Sequence, residues 1–283
     1  MKAVERISEV RQEVRAARAA GRRVGLVPTM GALHEGHASL LRAARADGRL
    51  AVVSLFVNPT QFGPNEDFGR YPRPVERDLD LCRREGADLV FAPSAAEMYP
   101  PGFATTIRVA RLSEKMCGAL RPGHFDGVCT VVAKLLAIVQ PDAAYFGEKD
   151  AQQLAIVRRM AADLDLVVEI RGCPTVREPD GLAMSSRNVY LSPAERQRAL
   201  ALSAALAEAR EAVLAGERDA GKLATQVRRR LEAAEGVDVQ YVAVVDPDTL
   251  DDLARVEDKV LVAVAAKVGA TRLIDNVLLR GLN

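Results

Sequence analysis

The sequence predicts an α/β protein in which a domain with a parallel sheet precedes a smaller α+β domain. Strand-like and helix-like runs alternate through the first two-thirds of the 283 residues. Residues 50–57 are apolar apart from Ser54, which is typical of a strand buried on both faces. After residue 175 the alternation gives way to Ala- and Arg-rich helical segments followed by strand-like runs. We therefore expect one domain over residues 1–175 and a second over residues 176–283.

An amphipathic helix pattern opens the chain, with apolar Val4, Ile7, Val10 and Val14. Further elements of the first domain are predicted as strands at 24–27, 50–57, 88–91, 143–146 and 166–170, and as helices at 37–46, 75–85, 127–140 and 151–164. Strands that alternate with such helices form βαβ units with right-handed crossovers. Ligands of these sheets bind beyond the carboxyl ends of the strands, so we expect the chemistry just after each strand.

The second domain is predicted to hold helices at 193–215 and 220–234, followed by strands at 239–245, 260–264 and 271–274. The polar, Pro- and Gly-containing residues 175–192 precede it. We place the boundary between the two domains at this polar segment.

Composition narrows the class of protein. The net charge is +1, which argues against a dedicated nucleic-acid binder. No run approaches the roughly 18 apolar residues of a membrane span, and Glu5, Glu9 and Glu13 are unlike an organelle transit peptide. Four scattered cysteines, at positions 82, 117, 129 and 173, indicate reduced thiols and no zinc framework. We expect a cytoplasmic protein with no membrane or nucleic-acid partner.

Two of the three histidines, His34 and His37, follow the first predicted β-strand of the alternating region in an H-x-G-H arrangement. If His37 opens the next helix, both imidazoles lie about one turn apart at a helix N-terminus, where a phosphate is favoured. Gly31 and Gly36 allow the backbone to turn and approach a ligand. Two alternatives stay open, an ordinary capped helix and a zinc site. The zinc interpretation lacks the spacing, since H-E-G-H is one residue shorter than H-E-x-x-H.

Two other segments carry polar groups at the expected edge. Gly147-Glu148-Lys149-Asp150 follows a strand and offers one of only seven lysines to a phosphate, with Gln153 one turn on. Ser185, Ser186 and Arg187 lie in the polar loop at the boundary, where two hydroxyls and a guanidinium suit triphosphate oxygens. Taken singly, each is equally an ordinary turn or polar loop.

Together these segments resemble the HIGH and KMSKS signatures of the nucleotidylyl-transferase superfamily, whose nucleotide-binding domain is Rossmann-like. The resemblance is most specific to the pantothenate synthetase (pantoate–β-alanine ligase) family. Five segments carry it in order: VPTMGALHEGH at 27–37, FVNPTQFG at 56–63, RPGHFDGV at 121–128, YFGEKDAQQ at 145–153 and VREPDGLAMSSRN at 176–188. It extends over essentially the whole chain.

The resemblance implies an ATP-dependent ligase of pantothenate and coenzyme A biosynthesis. The carboxylate of (R)-pantoate attacks the α-phosphate of ATP, which gives pantoyl adenylate and diphosphate. The amine of β-alanine then attacks the acyl carbon, which gives pantothenate and AMP. The resemblance also implies a homodimer.

The resemblance assigns site residues as well. It implies that His34, His37 and Lys149 are catalytic, with His37 as proton donor, and that Gln61 and Gln153 bind pantoate, Gln61 also lying near β-alanine. Asn58 and Arg121 match motif positions without a firm role. The implied ATP-binding residues are Met30, Gly31, Ala32, Leu33, His34, Glu35, Gly36, His37, Gly147, Glu148, Lys149, Asp150, Val176, Met184, Ser185, Ser186 and Arg187.

The chemistry of the residues agrees with this reaction. Attack on a triphosphate needs positioning and charge neutralisation, which imidazoles, Lys149, Arg187 and Mg²⁺ carried on the phosphates supply. No residue set for a protein-bound metal is expected. Residues 61–74 contain three prolines and two glycines and are predicted as either a lid or a rigid connector. Two rival functions remain: a nucleotidylyl transferase that stops at an adenylated product, and a non-catalytic nucleotide sensor.

Overall fold

The computed structural model describes residues 1–64 and 66–282, and the described residues form two compact units. Unit 1 comprises residues 1–114, 118–148 and 156–174. Unit 2 comprises the chain from Thr175 onward together with two short segments, residues 115–117 and 149–155. The division into domains at residue 175 stays a prediction.

Unit 1 is built on a parallel sheet. Its described strands lie in the order β1-β4-β3-β2-β5-β6, and all neighbours are parallel. The chain therefore moves outward from β2 to β4 on one side and then continues with β5 on the other side, which makes the β2/β5 border a switch point. The strands are β1 (Lys2–Val4), β2 (Val24–Thr29), β3 (Leu50–Leu55), β4 (Leu89–Phe91), β5 (Ala143–Gly147) and β6 (Glu169–Cys173).

Helices connect these strands and bury apolar faces against them. In the second helix, Leu40, Leu41 and Ala44 recur at helical spacing and pack with Val27 of β2 and Val53 of β3. The helices that begin before Thr175 in the described chain are α1 (Ile7–Ala19), α2 (Glu35–Ala46), α3 (Val75–Arg84), α4 (Ala95–Met98), α5 (Met116–Leu120), α6 (His124–Val139) and α7 (Ala151–Asp163).

The described part of unit 2 packs two helices on an antiparallel sheet. The helices are α8 (Pro193–Leu214) and α9 (Ala220–Glu232), and the strands are β7 (Val237–Val245), β8 (Lys259–Val268) and β9 (Thr271–Arg280), in the order β7-β8-β9. Fully buried Ala199, Ala205 and Ala209 of α8 belong to the same core as Val262 and Val264 of β8. Small residues at these positions let the helix approach the sheet closely.

The predicted α/β class is confirmed, with a Rossmann-like parallel sheet followed by a smaller sheet domain. The first prediction that is wrong concerns Val4, which lies in β1 and not in the opening helix. That helix begins at Ile7. Val4 pairs with Phe91 of β4. Burial of an apolar residue fits either element, and a partner 87 positions along the chain is invisible to periodicity.

The strand predicted at 166–170 is also wrong in its position, because β6 begins at Glu169. Residues 164–166 instead close α7: Asp165 has a φ of +48°, and the Leu166 N–H donates to the Ala161 carbonyl. This is a Schellman-type helix end. Of the apolar residues that suggested an earlier strand, Leu166 and Val168 are half-buried and Val167 is 98% exposed.

All four cysteines are buried and free. Burial raises the pKa of the Cys82 thiol to about 11 and that of Cys129 to about 12, so both stay protonated at neutral pH. Within residues 1–64 and 66–282, no helix combines the length and the apolar character needed to cross a bilayer.

Candidate active site

The turn after β2 is held by buried polar groups. The Thr29 hydroxyl donates to the Ser54 carbonyl of β3 at 2.7 Å and accepts from the Gly31 N–H at 3.1 Å. Gly31 and Ala32 then adopt left-handed conformations, with φ of +79° and +50°. The Asp78 carboxylate of α3 accepts from the N–H groups of Ala32 and Leu33 at 2.8 and 2.7 Å. The chain therefore leaves the sheet through a tightly bonded turn that ends at His34.

His34 and His37 start α2 together. His34 is the N-cap, and its Nδ1 accepts from the Gly36 N–H at 3.1 Å. Nδ1 of His37 accepts from the His34 N–H at 3.3 Å, and the ring centroids are 4.2 Å apart. Because Nδ1 of each ring is an acceptor, the geometry assigns each neutral imidazole a proton on Nε2. Both rings thus carry an Nε2–H donor at a helix N-terminus.

The helix start differs from the prediction by two residues, since α2 begins at Glu35 and not at His37. The expected juxtaposition does not depend on this difference. An N-cap residue and the third helical residue lie about one turn apart, so the side chain of each can bond the backbone of the other. Imidazole Nδ1 atoms here take the places that hydroxyl and carboxylate oxygens usually take.

Gln61 is oriented by a buried network. It ends a 3₁₀ turn (Pro59–Gln61) and is 8% exposed. Asn58, 1% exposed, donates from Nδ2 to Gln61 Oε1 and to the Gly127 carbonyl, both at 3.1 Å, and its Oδ1 accepts from the Tyr99 hydroxyl at 2.7 Å. The Gln61 Nε2 group lies 2.9 Å from the Met30 sulfur. A Cβ at Gly127 would lie 2.4 Å from the Thr60 carbonyl oxygen, so only glycine lets α6 approach this turn.

A charged cluster adjoins Gln61. Arg121 forms a two-point ion pair with Glu66, and Nη1 of Arg121 lies 3.0 Å from His124 Nε2. Because arginine only donates, His124 Nε2 accepts, and its protonated Nδ1 donates to the Gln61 carbonyl at 2.8 Å. Burial alone raises the pKa of Glu66, but hydrogen bonds and charge from Arg121 outweigh burial and lower it. The cluster attaches the loop that contains Glu66 to the start of α6.

In unit 2, Val176 opens a hairpin that presents the polar loop. The Met184 N–H donates to the Val176 carbonyl at 3.0 Å, and Arg177 binds Asp275 of β9 through two hydrogen bonds of 2.7 and 2.9 Å. Ser185 caps a 3₁₀ helix (Ser186–Tyr190) by accepting from the Arg187 N–H. The loop at 184–187 is thus framed by hydrogen-bonded backbone on both sides.

Asn188 and Glu178 connect this loop to neighbouring elements by hydrogen bonds. Asn188 donates from Nδ2 to Glu178 Oε1 at 2.6 Å and to the Ala183 carbonyl at 3.1 Å. Glu178 in turn binds Arg196 of α8 at 2.6 Å. Lys149 belongs to the same unit, and its carbonyl accepts from Asn276 of β9 at 2.8 Å. Lys149 and the hairpin are therefore attached to adjacent residues of one strand.

The predicted site residues are divided between the units. Unit 1 holds Met30–His37, Asn58, Gln61, Arg121, Gly147 and Glu148, and unit 2 holds Lys149, Asp150, Gln153, Val176 and Met184–Arg187. Gln153 is half-buried on the first turn of α7, and the preceding Gln152 binds backbone groups of Lys115 and Cys117.

Several polar residues at these sites were not foreseen from the sequence, namely Asp78, Tyr99, His124, Glu178, Asp275 and Asn276. For His124 a signal existed, because it is the third of only three histidines and lies in the RPGHFDGV segment. The others contact their partners across long stretches of chain, and no local pattern marks them.

A parallel sheet with an H-x-G-H turn at its switch point and a separate Met-Ser-Ser-Arg loop in the following unit defines a protein of the nucleotidylyl-transferase class. Comparison with known proteins is more specific. The family model described as pantoate–β-alanine ligase matches residues 2–278. Pantothenate synthetase from Thermoanaerobacter sp. (strain X514) is 56% identical to this chain, and the match covers 97% of each protein. Pantothenate synthetase from Thermotoga petrophila is 54% identical, over 99% of this chain and 100% of the relative.

Solved structures agree. Pantothenate synthetase from Thermus thermophilus superposes with a TM-score of 0.92 at 48% identity, covering 98% of this chain and 99% of that one. A Francisella tularensis pantoate–β-alanine ligase, complexed with β-γ ATP and β-alanine, matches with a TM-score of 0.79 at 33% identity, covering 98% and 97%. The chain belongs to the pantoate–β-alanine ligase family. It is an enzyme that ligates pantoate to β-alanine.

Proposed function

We propose that the ligation uses ATP and passes through pantoyl adenylate, with His34 and His37 stabilising the charge that develops on the α-phosphate. The observation that carries this proposal is the pair of adjacent imidazoles at the start of α2, each of which accepts a backbone N–H at Nδ1 and therefore carries its proton on Nε2. Preorganised donors of this kind stabilise charge without reorganising during the reaction. The complex of the Francisella relative with β-γ ATP and β-alanine supports ATP and β-alanine as substrates here.

The first step is attack of the pantoate carboxylate on the α-phosphorus, with diphosphate as leaving group. His37, which the sequence resemblance gives as proton donor, donates a hydrogen bond from its Nε2–H to the phosphates in this neutral form, and His34 is its companion donor. Lys149, Ser185, Ser186 and Arg187 neutralise and bind the triphosphate oxygens, while the Val176 backbone contacts adenine. Phosphoryl and nucleotidyl transfers depend mainly on such positioning and charge neutralisation.

Gln61 and Gln153 hold pantoate. A lysine or arginine on the carboxylate would lower its nucleophilicity, whereas a neutral amide both donates and accepts. Asn58 engages Gln61 Oε1, so the Nε2 group is the part of Gln61 that donates to substrate. Its present acceptor is the Met30 thioether, a weak acceptor that a pantoate oxygen would replace.

The second step is attack of the β-alanine amine on the acyl carbon, which releases AMP. Gln61 also lies near this substrate in our assignment. An acyl adenylate hydrolyses readily, so water must be excluded while it waits for the amine. We assign this exclusion to the loop at 61–74, whose residue 65 lies outside the described residues; a rigid connector is the other role that its sequence suits.

Mg²⁺ fits this chemistry as a companion of the nucleotide. Among residues 1–64 and 66–282, no three His, Cys, Asp or Glu side chains cluster to hold a metal ion. Mg²⁺ is commonly bound through phosphate oxygens and water, and there it would neutralise charge on the triphosphate. The imidazoles, Lys149 and Arg187 supply the remaining positive charge and hydrogen-bond donors.

We place the enzyme in the cytoplasm and as a homodimer. Four buried free thiols suit a reducing compartment. Exposed Leu164 and Val167 lie just before β6, which ends the sheet of unit 1 in the described chain. An apolar patch beside an edge strand is typical of a surface that pairs with another chain.

An omission assay tests the reaction. AMP formation is measured with ATP, Mg²⁺, pantoate and β-alanine, and then with pantoate or β-alanine left out. Diphosphate without β-alanine, and AMP only with both substrates, is the expected result. Diphosphate with an adenylated product but no AMP under any condition would favour a transferase that stops at the adenylate. Nucleotide binding without turnover would favour a sensor.

A further inference from the structure

The Asp78 carboxylate makes its hydrogen bonds outside its own helix, to the turn after β2. It lies on α3, 45 residues from Leu33, and is 2% exposed. Both carboxylate oxygens are used on the turn after β2, one on the Ala32 N–H and one on the Leu33 N–H. A Cβ at Gly31 would lie 3.0 Å from Asp78 Oδ2, so the carboxylate sits directly against the Gly31 backbone.

The backbone that Asp78 contacts is strained. Ala32 has a φ of +50°, a left-handed conformation that costs a residue with a Cβ roughly 1–2 kcal/mol. Successive residues in such turns point their N–H groups into a common concavity, which binds anions. Strained conformations persist only where surrounding structure holds them. Here the Asp78 carboxylate is the anion that fills the concavity.

Burial acts against a charged group at this position. Burial raises the pKa of Asp78, although hydrogen bonds from Leu33 and Ala32 act in the opposite direction. A carboxyl group with a raised folded pKa stabilises the fold below its unfolded pKa of about 3.8, and this contribution is lost as the pH rises through the folded pKa. At neutral pH the buried charge therefore opposes folding relative to the protonated form.

We propose that Asp78 is a positioning residue for adenylation, which holds the turn at residues 31–33 so that His34 and His37 meet the phosphates in a fixed geometry. His34 follows Leu33 directly and caps α2, so any change in the turn moves both imidazoles. The proposal rests on the role proposed above for the two imidazoles. Asp78 acts through its hydrogen bonds to the Ala32 and Leu33 backbone.

The test compares Asp78→Asn with Asp80→Asn on the same helix. Asp80 is exposed and paired with Arg83, which makes it a matched control. Asparagine keeps the shape but turns one oxygen into an NH₂ group that faces a backbone N–H. Because a misplacement of about 1 Å can slow a reaction ~100-fold, we expect Asp78→Asn to lower kcat for diphosphate release ~10- to 100-fold.

In the same variant, the pantoate KM should change less than ~3-fold, because Gln61 and Gln153 are untouched, and the unfolding midpoint should shift by less than ~4 °C. Asp80→Asn should match the parent enzyme in all three measurements. An unchanged kcat in folded Asp78→Asn would overturn the proposal. An equal loss of kcat in Asp78→Asn and in Asp80→Asn would overturn it as well.

Amide hydrogen exchange at Ala32 and Leu33 provides a readout that does not involve catalysis. In the parent enzyme both amides should be protected, and in Asp78→Asn at least one should exchange ~10-fold faster or more. If Asp78→Asn does not fold, the test is hydrogen exchange at the Ala32 and Leu33 amides of the parent protein. Fast exchange at both amides overturns the proposal, and protection of the amides supports it. Separately, full adenylation activity in His34→Ala and His37→Ala would refute the imidazole roles while leaving this exchange result intact.

Discussion

His34 and His37 are held by each other's backbone as well as by their own helix. Each Nδ1 accepts a backbone N–H at the first turn of α2, which fixes the neutral tautomer with the proton on Nε2. A side chain that only packs would not need this tautomer. This tautomer is the one that the proposed role requires, in which each Nε2–H donates to a phosphate that gains charge.

Removing either imidazole should slow the first half-reaction. His34→Ala and His37→Ala are each expected to reduce the rate of diphosphate release by ~10²–10³, as loss of one preorganised donor does. Ser39→Ala on the same helix, whose hydroxyl donates to the Gly36 carbonyl, is the control and should retain the parent rate. Near-normal diphosphate release in either histidine variant would contradict the assigned role.

The two glutamines should affect pantoate more than ATP. Gln61→Ala and Gln153→Ala are each expected to weaken the use of pantoate by ~1–3 kcal/mol, because a buried polar group of the substrate loses its partner. ATP affinity should change little, since neither side chain is assigned to the nucleotide. Titration of each variant with pantoate and with ATP tests this, with exposed Gln12→Ala of α1 as control. A fall in ATP affinity with unchanged pantoate affinity would refute the assignment.

Residue-level prediction from the sequence succeeded where partners are close along the chain. The contact between His34 and His37 follows from three-residue spacing at a helix start, and rare histidines made it visible. Asp78 could not be found this way, because it reads as one of several acids on a charged helix. Its partners at Ala32 and Leu33 are backbone groups, which have no sequence signature.

At the scale of elements, the segment after β3 is bonded at several points. Phe62 contacts the rings of Phe68 and Tyr71, and Arg73 donates to the Phe68 carbonyl. Glu66 is bound by Arg121 near the start of α6. These contacts order both ends of the segment, and the ion pair is the one that a change of pH can release.

Glu66→Gln tests that ion pair. Because the pair is largely buried and charge-assisted, we expect the variant to lose about 1–3 kcal/mol of unfolding free energy at pH 7. The Glu66 pKa is lowered, so its contribution is fully present above the unfolded pKa of about 4.5 and is lost as the pH falls through the folded pKa. Urea unfolding at pH 7 and at several lower values measures the difference.

The exposed pair of Arg108 and Glu114 offers the control for this comparison. Glu114→Gln should change the unfolding free energy by less than ~0.5 kcal/mol at every pH. The difference in unfolding free energy between Glu66→Gln and the parent should shrink as the pH falls below 4.5. If that difference stays constant or grows instead, the ion pair is not its source.

Element boundaries were predictable where a local signal exists and not elsewhere. α8 begins as expected at Pro193, since Ser192 and Glu195 form a capping box. β8 and β9 run well beyond their predicted ends, because pairing with each other extends them through polar residues such as Lys267 and Asn276. Strand pairing is a long-range property, and periodicity within one strand does not report it.

At the scale of the whole molecule, metal dependence separates folding from activity. The described chain offers no cluster of His, Cys, Asp and Glu that would hold a structural ion. We therefore expect a chelator to leave the unfolding midpoint unchanged while diphosphate release stops and returns with added Mg²⁺. Thermal unfolding and the activity assay, both with and without chelator, test this. A stoichiometric zinc found by elemental analysis would contradict it.

The last prediction concerns assembly. Val167 is 98% exposed and, with Leu164, lies between the end of α7 and edge strand β6. A large apolar side chain so exposed beside a strand edge is our candidate for the interface of the proposed homodimer. Val167→Lys should therefore shift the protein from dimer to monomer in light scattering. Leu214→Lys, at a 58% exposed position at the end of α8, is the control and should leave the dimer intact. A dimer that persists in Val167→Lys would place the interface elsewhere, and a monomeric parent protein would refute the homodimer itself.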